Sequence, residues 1–109
     1  MEPDWSELGR RLLQAAGTDA VLDAALAAAF DQAVAPFTSS VDACRALVAA
    51  ALPEWRLHLG FGASGLFPYA SLAHDGIRII SDAPTVPLAI LRSAVAARTS
   101  PVPSSPPPA

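Results

Sequence analysis

Cysteine, lysine and charge are scarce in this chain of 109 residues. The single cysteine, Cys44, excludes an intramolecular disulfide framework and any zinc site built from several cysteines, and it fits a reducing compartment. All seven basic residues are arginines, and ten acidic residues bring the net charge to -3. This balance argues against a general phosphate-backbone binder, which carries clustered positive charge. With 52% hydrophobic and only 16% charged residues, one small globular domain is expected.

Long hydrophobic runs are also missing, although the mean hydropathy is +0.38. A membrane-spanning helix needs about 20 mostly apolar residues, and the best candidate, 20–34, is interrupted by Asp23 and Asp31. The first four residues, Met-Glu-Pro-Asp, lack the basic start and apolar stretch of a secretory signal. We therefore expect a cytoplasmic protein without a membrane partner.

Apolar residues recur at helical spacing in the first third of the chain. The first predicted helix covers residues 4–16. The second is capped by Thr18, carries a wide apolar stripe from Val21 to Ala33 and is closed by Pro36. Because so wide a stripe can bury one side in the domain and offer the other to a second copy, a homodimer through this helix is an expected partner arrangement.

Two further helices are expected on either side of a sheet-forming segment. The third predicted helix begins at a cap, Ser39 or Ser40, and Pro53 ends it. The last helix follows a turn in which Thr85 is the cap, and it buries Leu91.

Between these helices the period changes from helical to alternating, which predicts strands. They are expected over 55–61, 66–73 and 77–81, with Pro68 at a strand start or on an edge. The triplet at 74–76, His-Asp-Gly, predicts a tight hairpin between the second and third strands, because Asp and Gly tolerate positive φ.

The predicted fold is α+β, with three N-terminal helices, a three-stranded antiparallel sheet and a C-terminal helix in a helix/sheet/helix layered sandwich. The expected organisation is an N-terminal helix over 1–17, a domain over 18–98 and a disordered tail rich in proline and serine over 99–109. Truncation after Arg98 should therefore leave the melting temperature unchanged.

The stretch from Gly60 to Gly65 matches the dinucleotide-binding pattern, with Asp82 at a suitable distance for a ribose contact. That chemistry requires a helix beginning at the third glycine, so that its N-terminus meets the pyrophosphate. Strand character and Pro68 follow instead, which favours a flexible connection between strands.

The residues that could act in catalysis or metal binding show none of the short paired spacings that such sites use. Cys44, His58 and His74 are the only thiol and imidazole groups, and they fall on a helix, a strand and a turn. Cys44 lies on the apolar face of its predicted helix and is expected in the core. Paired carboxylates are absent as well, so we expect no enzymatic activity, no cofactor and no metal.

The second face of the sheet collects the polar side chains of greatest interest. Arg56 and His58 from the first strand and Arg78 from the third can meet there, with Tyr69 or Phe67 between them. An open face could hold an anionic peptide, a phosphate or single-stranded nucleic acid. A face covered by helices would leave only edge charges paired with local carboxylates. Four helices are more than one face needs, which favours the covered arrangement.

Several segments resemble small phage-derived proteins of alphaproteobacterial prophages. The segments are LDAAL at 22–26, PFTSSVDA at 36–43 and LPEW at 52–55, and DAPTVPLAILRSA at 82–94 resembles the closing signature of the phage ABA-sandwich domain. The resemblance covers about residues 18–97 and implies a sheet between helical layers and a prophage origin, with no catalytic residues. We therefore expect a non-enzymatic accessory protein that binds a phage or host macromolecule. A nucleic-acid-binding module using Arg56, His58, Tyr69 and Arg78 is the less favoured alternative.

Overall fold

The computed structural model describes residues 4–61 and 67–99, and the predicted α+β class with its element order is confirmed. None of the helices within these ranges is long and apolar enough to cross a membrane. Thr99 ends the last helix, while 100–109 lie outside the described residues. In chain order the elements are α1 (Trp5–Gln14), α2 (Ala20–Phe30), α3 (Val41–Ala51), β1 (Arg56–Phe61), β2 (Pro68–His74), β3 (Ile77–Asp82) and α4 (Val86–Thr99).

Side-chain caps set the starts of the helices. The Asp19 carboxylate accepts a hydrogen bond from the backbone N–H of Leu22 (3.0 Å), so Asp19 caps α2 and the predicted cap, Thr18, is wrong by one residue. Ser40 caps α3 through its hydroxyl, as one of the two predicted alternatives. Thr85 caps α4 in the same way, accepting from the N–H three residues later (3.3 Å).

The second helix is shorter than its apolar stripe predicts. It ends at Phe30, because Asp31 adopts the left-handed conformation (φ 57°, ψ 50°) and its N–H bonds to carbonyls of the last turn. Ala33 is therefore outside the helix, and Pro36 does not end it. The expected continuous helical face from Val21 to Ala33 is corrected to one that stops at Phe30.

The strands form one antiparallel sheet in the order β1-β2-β3. At the turn between β2 and β3, Asp75 and Gly76 both have positive φ (54° and 83°), which confirms the predicted tight hairpin. Pro68 opens β2 opposite Phe61, a strand start at which a missing N–H is tolerated. The alternating period of 55–61 thus corresponds to a strand, as predicted.

One hydrophobic core unites the helices with the inner face of the sheet. Its fully buried members come from all four helices and from β2, while the apolar residues of β1 and β3 that face the same way are half-buried against it. The largest completely buried apolar side chains of the core are those of Leu12, Leu22, Leu26, Leu72, Leu88, Ile90 and Leu91.

The layers are stacked in an order that differs from the expected sandwich. α4 packs on β2 and β3, while α1 and α3 pack mainly on α4 and α2 packs against α1. The order is therefore sheet, α4, remaining helices. Within 4–61 and 67–99 no helix packs on the second face of the sheet, so the layering differs from the expected helix/sheet/helix sandwich, while the α+β class and the element order hold.

Arg92 of α4 ties the first helix to the sheet. Its guanidinium donates to the backbone carbonyls of Leu12 (3.0 Å) and Leu13 (3.1 Å) in the last turn of α1, and to that of Asp82 (2.8 Å) at the end of β3. Carbonyls in a last helical turn lack intrahelical partners, so one arginine satisfies groups from two elements. The first helix is thereby an integral part of the core.

Replacing Gly9 with alanine should raise the free energy of unfolding by about 0.5–1 kcal/mol. Gly9 lies within α1, and an added Cβ would meet Val95 at 3.8 Å, which is ordinary contact. The gain arises because alanine has fewer unfolded conformations to lose. Urea denaturation measures it, with Gly76→Ala as the contrasting variant. Gly76 has positive φ, so the same change there should lower stability, and equal signs for both variants would contradict this account.

Candidate functional site

The antiparallel register brings the predicted site residues together on the outer face of the sheet. Across the three strands, Arg56, Ala73 and Arg78 form one row. The next row on the same face joins His58, Ser71 and Ile80, and the third joins Gly60, Tyr69 and Asp82. Because alternate residues of a strand point to the same face, these three rows constitute a single surface, which we call the outer face.

The outer face is open to solvent in the part of the chain that is described. Arg56, His58 and Arg78 are exposed, and Ile80 is 60% exposed. The hypothesis that helices cover this face is therefore wrong. A groove of about 850 Å³ runs over the middle strand, lined by residues of all three strands. We call it the outer groove.

Small residues form the floor of the outer groove and larger ones form its sides. Ser71 and Ala73 of β2 have short side chains, while Arg56 and His58 rise from β1 and Arg78 and Ile80 rise from β3. The depth of the groove follows from this alternation of size across the strands, with no contribution from a helix.

Tyr69 lies at one end of the groove, and Gly60, which has no side chain, leaves the space that its ring occupies. A Cβ on Gly60 would lie 2.8–2.9 Å from the Tyr69 hydroxyl and ring atoms, so the ring lies directly over the Gly60 backbone. The Tyr69 and His58 rings are 6.2 Å apart between centroids, tilted by 43°. Two planar side chains thus lie side by side next to the arginine row. Phe67 precedes β2 and does not line the groove, so Tyr69 is the aromatic residue of this face.

The two arginines of the first row have no carboxylate partner among the described residues. Within the described residues Arg10 forms an ion pair with Glu7, and the His74 imidazole lies beside the Glu54 carboxylate. Of the two local carboxylates expected as partners of the arginines, that of Glu54 lies 3.5 Å from His74 Nε2, and Asp82 lies in the row of Tyr69, two rows from the arginines.

The other candidate residues lie apart from the outer face. Cys44 is fully buried, as predicted, and its thiol lies 2.9 Å from the Phe37 carbonyl oxygen, to which it donates. His74 packs against Trp55, with ring centroids 5.3 Å apart. No group of three or more His, Cys, Asp or Glu side chains placed to hold a metal occurs within 4–61 and 67–99.

The glycine-rich pattern from Gly60 to Gly65 falls mostly outside the described residues, which resume at Phe67. The segment that follows it is strand β2, antiparallel to β1, as predicted. Pyrophosphate binding by this pattern would need a helix that begins at the third glycine, Gly65, which lies outside the described residues, and the described chain from Pro68 onwards is a strand.

Burial of the Cys44 side chain predicts an unreactive thiol. Desolvation, with a smaller contribution from the nearby Asp23 charge, raises the pKa of Cys44 from 9.0 to about 12. The native protein at pH 8 should therefore resist alkylation by iodoacetamide, whereas the urea-unfolded chain should react at the rate of a free thiol. Since the unfolded thiol ionises first, the free energy of unfolding should also fall as pH rises from 9 towards 12, and rapid native-state alkylation at pH 8 would contradict the assigned burial.

Sequence reasoning missed two residues that shape the outer groove, Ile80 and Gly60. Ile80 lies beside Ser71, across the groove from His58, and Gly60 supports the Tyr69 ring. A signal for Ile80 was present, because it stands two residues after Arg78 in the same strand and so shares its face. The role of Gly60 depends on the cross-strand register, which local sequence does not specify.

Comparison of the chain with models of known protein families, with curated proteins and with solved structures found no match.

Proposed function

We propose that this protein is a non-enzymatic binding protein and that its outer face is the surface that contacts another macromolecule. The observation that carries the proposal is the open groove bounded by Arg56, His58, Arg78 and Ile80, with Tyr69 at its end. Aromatic and arginine side chains are enriched at binding surfaces, because they contribute large contact areas and directional hydrogen bonds.

The energetics of the free protein favour this assignment. Ile80 exposes 60% of its surface at a position where a polar residue would cost less, and two like charges share the Arg56 row. A bound partner would bury the apolar side chain and neutralise the arginines. Neither feature contributes to the core beneath the sheet.

Photo-crosslinking tests this proposal. A benzoylphenylalanine at position 80, replacing Ile80, should give a discrete crosslinked product in a bacterial lysate, and Arg78→Glu should abolish that product. The matched control places the same group at Ala49, an exposed position on α3. Similar products at both positions, or a product that survives Arg78→Glu, would mean that the outer face is not the contact surface.

Single-stranded nucleic acid is the second candidate ligand, because the His58 and Tyr69 rings lie together on the same face of the sheet as two arginines. Fluorescence polarisation with labelled oligothymidylate should then show affinity falling with salt, with a log–log slope of about -1 to -2 for two phosphate contacts. Arg45→Gln, at an exposed position on α3, should leave the salt dependence of the affinity unchanged, whereas Arg56→Gln should make that dependence weaker. Binding that is absent at low salt eliminates this candidate.

We further propose a prophage origin and a cytoplasmic location. The support for the origin is the resemblance of residues 22–26, 36–43, 52–55 and 82–94 to the phage ABA-sandwich family. The support for the location is the single free cysteine, which suits a reducing compartment. A gene placed among phage structural genes is the expected finding, and an isolated chromosomal gene without phage neighbours would count against the origin.

A second copy of the chain is the other partner we propose, through α2. The side of this helix that does not enter the core presents Val21, which is 70% exposed, with Ala24 and Ala28. Light scattering at high concentration should give a mass of about twice that of the monomer, and Val21→Glu should return it to the monomer. A monomer mass for the unmodified protein would remove the proposal.

A further inference from the structure

We infer that the outer groove binds an extended polypeptide segment that carries one carboxylate, held between Arg56 and Arg78, and an apolar side chain, held against Ile80. This inference rests on the proposed function of the outer face and names the chemistry of its partner. Three properties of the groove lead to it: the placement of the arginines, the shape of the floor and the distribution of charge at its ends.

Arg56 and Arg78 are placed so that both can bind the same anionic group. Arg56 and Arg78 occupy the same row on either side of Ala73, so their backbones are separated by two inter-strand spacings, about 9–10 Å. An arginine side chain is long enough to reach the midline from each strand, and the alanine between them leaves the space above it empty. Guanidinium groups bind a carboxylate through paired, charge-assisted hydrogen bonds. One carboxylate above Ala73 would engage both arginines and relieve their mutual repulsion.

The rest of the floor suits an extended chain lying along β2. Ile80 lies one same-face row beyond the arginines, about 7 Å along the sheet. In an extended peptide, side chains that point the same way have this same spacing of about 7 Å. A carboxylate over Ala73 and an apolar side chain beside Ile80 are therefore in register, with Ser71 giving room for the backbone.

The ends of the groove limit how much negative charge a ligand can carry. Glu54 and Asp75 lie at the rim beyond the arginine row, among the residues that line the adjacent depression. Asp82 lies at the opposite end, in the row of Tyr69. A ligand charged at every unit, such as a nucleic acid, would bring phosphates towards these carboxylates. An otherwise uncharged peptide segment with a single carboxylate avoids that repulsion. The charge distribution therefore favours a peptide over a nucleic acid as the ligand.

Nuclear magnetic resonance titration tests the inference with two capped pentapeptides, Val-Ser-Glu-Ser-Val and Val-Ser-Gln-Ser-Val, in which the valines and the central residue point to the same side of an extended chain. The glutamate peptide should shift the amide signals of Arg56, Ala73, Arg78 and Ile80. Losing a charge-assisted hydrogen bond should weaken binding about tenfold or more, so the glutamine peptide should bind at least that much more weakly. Arg56→Gln should produce a similar loss for the glutamate peptide.

The matched control is Arg45→Gln, which removes the same charge from an exposed position on α3 and should leave the affinity for the glutamate peptide unchanged. Equal affinity for both peptides, or shifts confined to residues outside the groove, would overturn the inference. Tighter binding of oligothymidylate at the same residues would assign the groove to nucleic acid instead. If crosslinking at position 80 persists but the protein binds the glutamate and glutamine peptides equally, only the carboxylate assignment is overturned. If both experiments fail, the proposed function is rejected as well.

Discussion

Replacing Leu91 with alanine should lower the free energy of unfolding by about 2–5 kcal/mol. Leu91 is 0% exposed and belongs to α4, the helix that contacts both the sheet and the other helices. The change removes apolar contacts and leaves a cavity where several elements meet, and the close-packed surroundings can collapse only partly into it. Urea denaturation followed by circular dichroism measures the difference.

The matched control for this variant is Leu13→Ala. Leu13 is also a helical leucine, but it is 69% exposed, so its truncation should change stability by no more than about 0.5 kcal/mol. The comparison separates burial from residue type. Equal effects for the two variants would mean that α4 does not occupy the centre of the core.

Replacing Asp23 with alanine should lower the free energy of unfolding by about 1.5–3 kcal/mol. Asp23 is a buried carboxylate on α2, 6% exposed, and accepts a hydrogen bond from the backbone N–H of Thr38 at 2.7 Å. The Thr38 hydroxyl in turn accepts from the N–H of Asp19 at 2.8 Å. Alanine would leave the buried N–H of Thr38 without its partner and release the segment before α3 from the start of α2.

Two variants distinguish this hydrogen bond from simple loss of volume. Asp23→Asn keeps an acceptor oxygen in the same place, so it should retain most of the stability that alanine loses. Thr38→Val keeps the shape of Thr38 but removes the hydroxyl that joins Asp19, and it should cost about 1 kcal/mol. If asparagine proved as destabilising as alanine, the negative charge would be the stabilising element rather than the hydrogen bond. Thermal denaturation at pH 7 gives the ranking.

Element type was predictable along most of the chain because local patterns agree with the fold. The period changes from helical to alternating after Pro53, and the hairpin residues Asp75 and Gly76 have the positive φ that their side chains tolerate. Prediction failed at the end of α2. There the apolar composition continues beyond Phe30, and a single left-handed residue, Asp31, ends the helix although its type is compatible with continuation.

The buried hydrogen bond between Asp23 and Thr38 illustrates a second limit of prediction from sequence. In the sequence, Asp23 is a charged interruption of the apolar segment 20–34, and carboxylates are seldom buried without a partner. Its partner, Thr38, is 15 residues away and supplies a backbone N–H, a group that every residue except proline carries. Residue types therefore contain no signal for the pairing, and only the approach of the two segments creates it.

Strand periodicity was sufficient to place Arg56 and His58 on one side of β1, and the tight hairpin fixes the register of Tyr69 in β2 against Arg78's strand, β3, whereas the register of β1 against β2 came from the tertiary structure. Whether that side would face solvent depended on packing. Most of α4 is buried, from Leu88 to Ala97, so it accepts neighbours on more than one side. The helices α1 and α3 stack on α4 instead of on the sheet, because that contact buries apolar surface on both partners, whereas the arginines of the outer face would have to leave water. The open groove is thus a consequence of how the helices share one core.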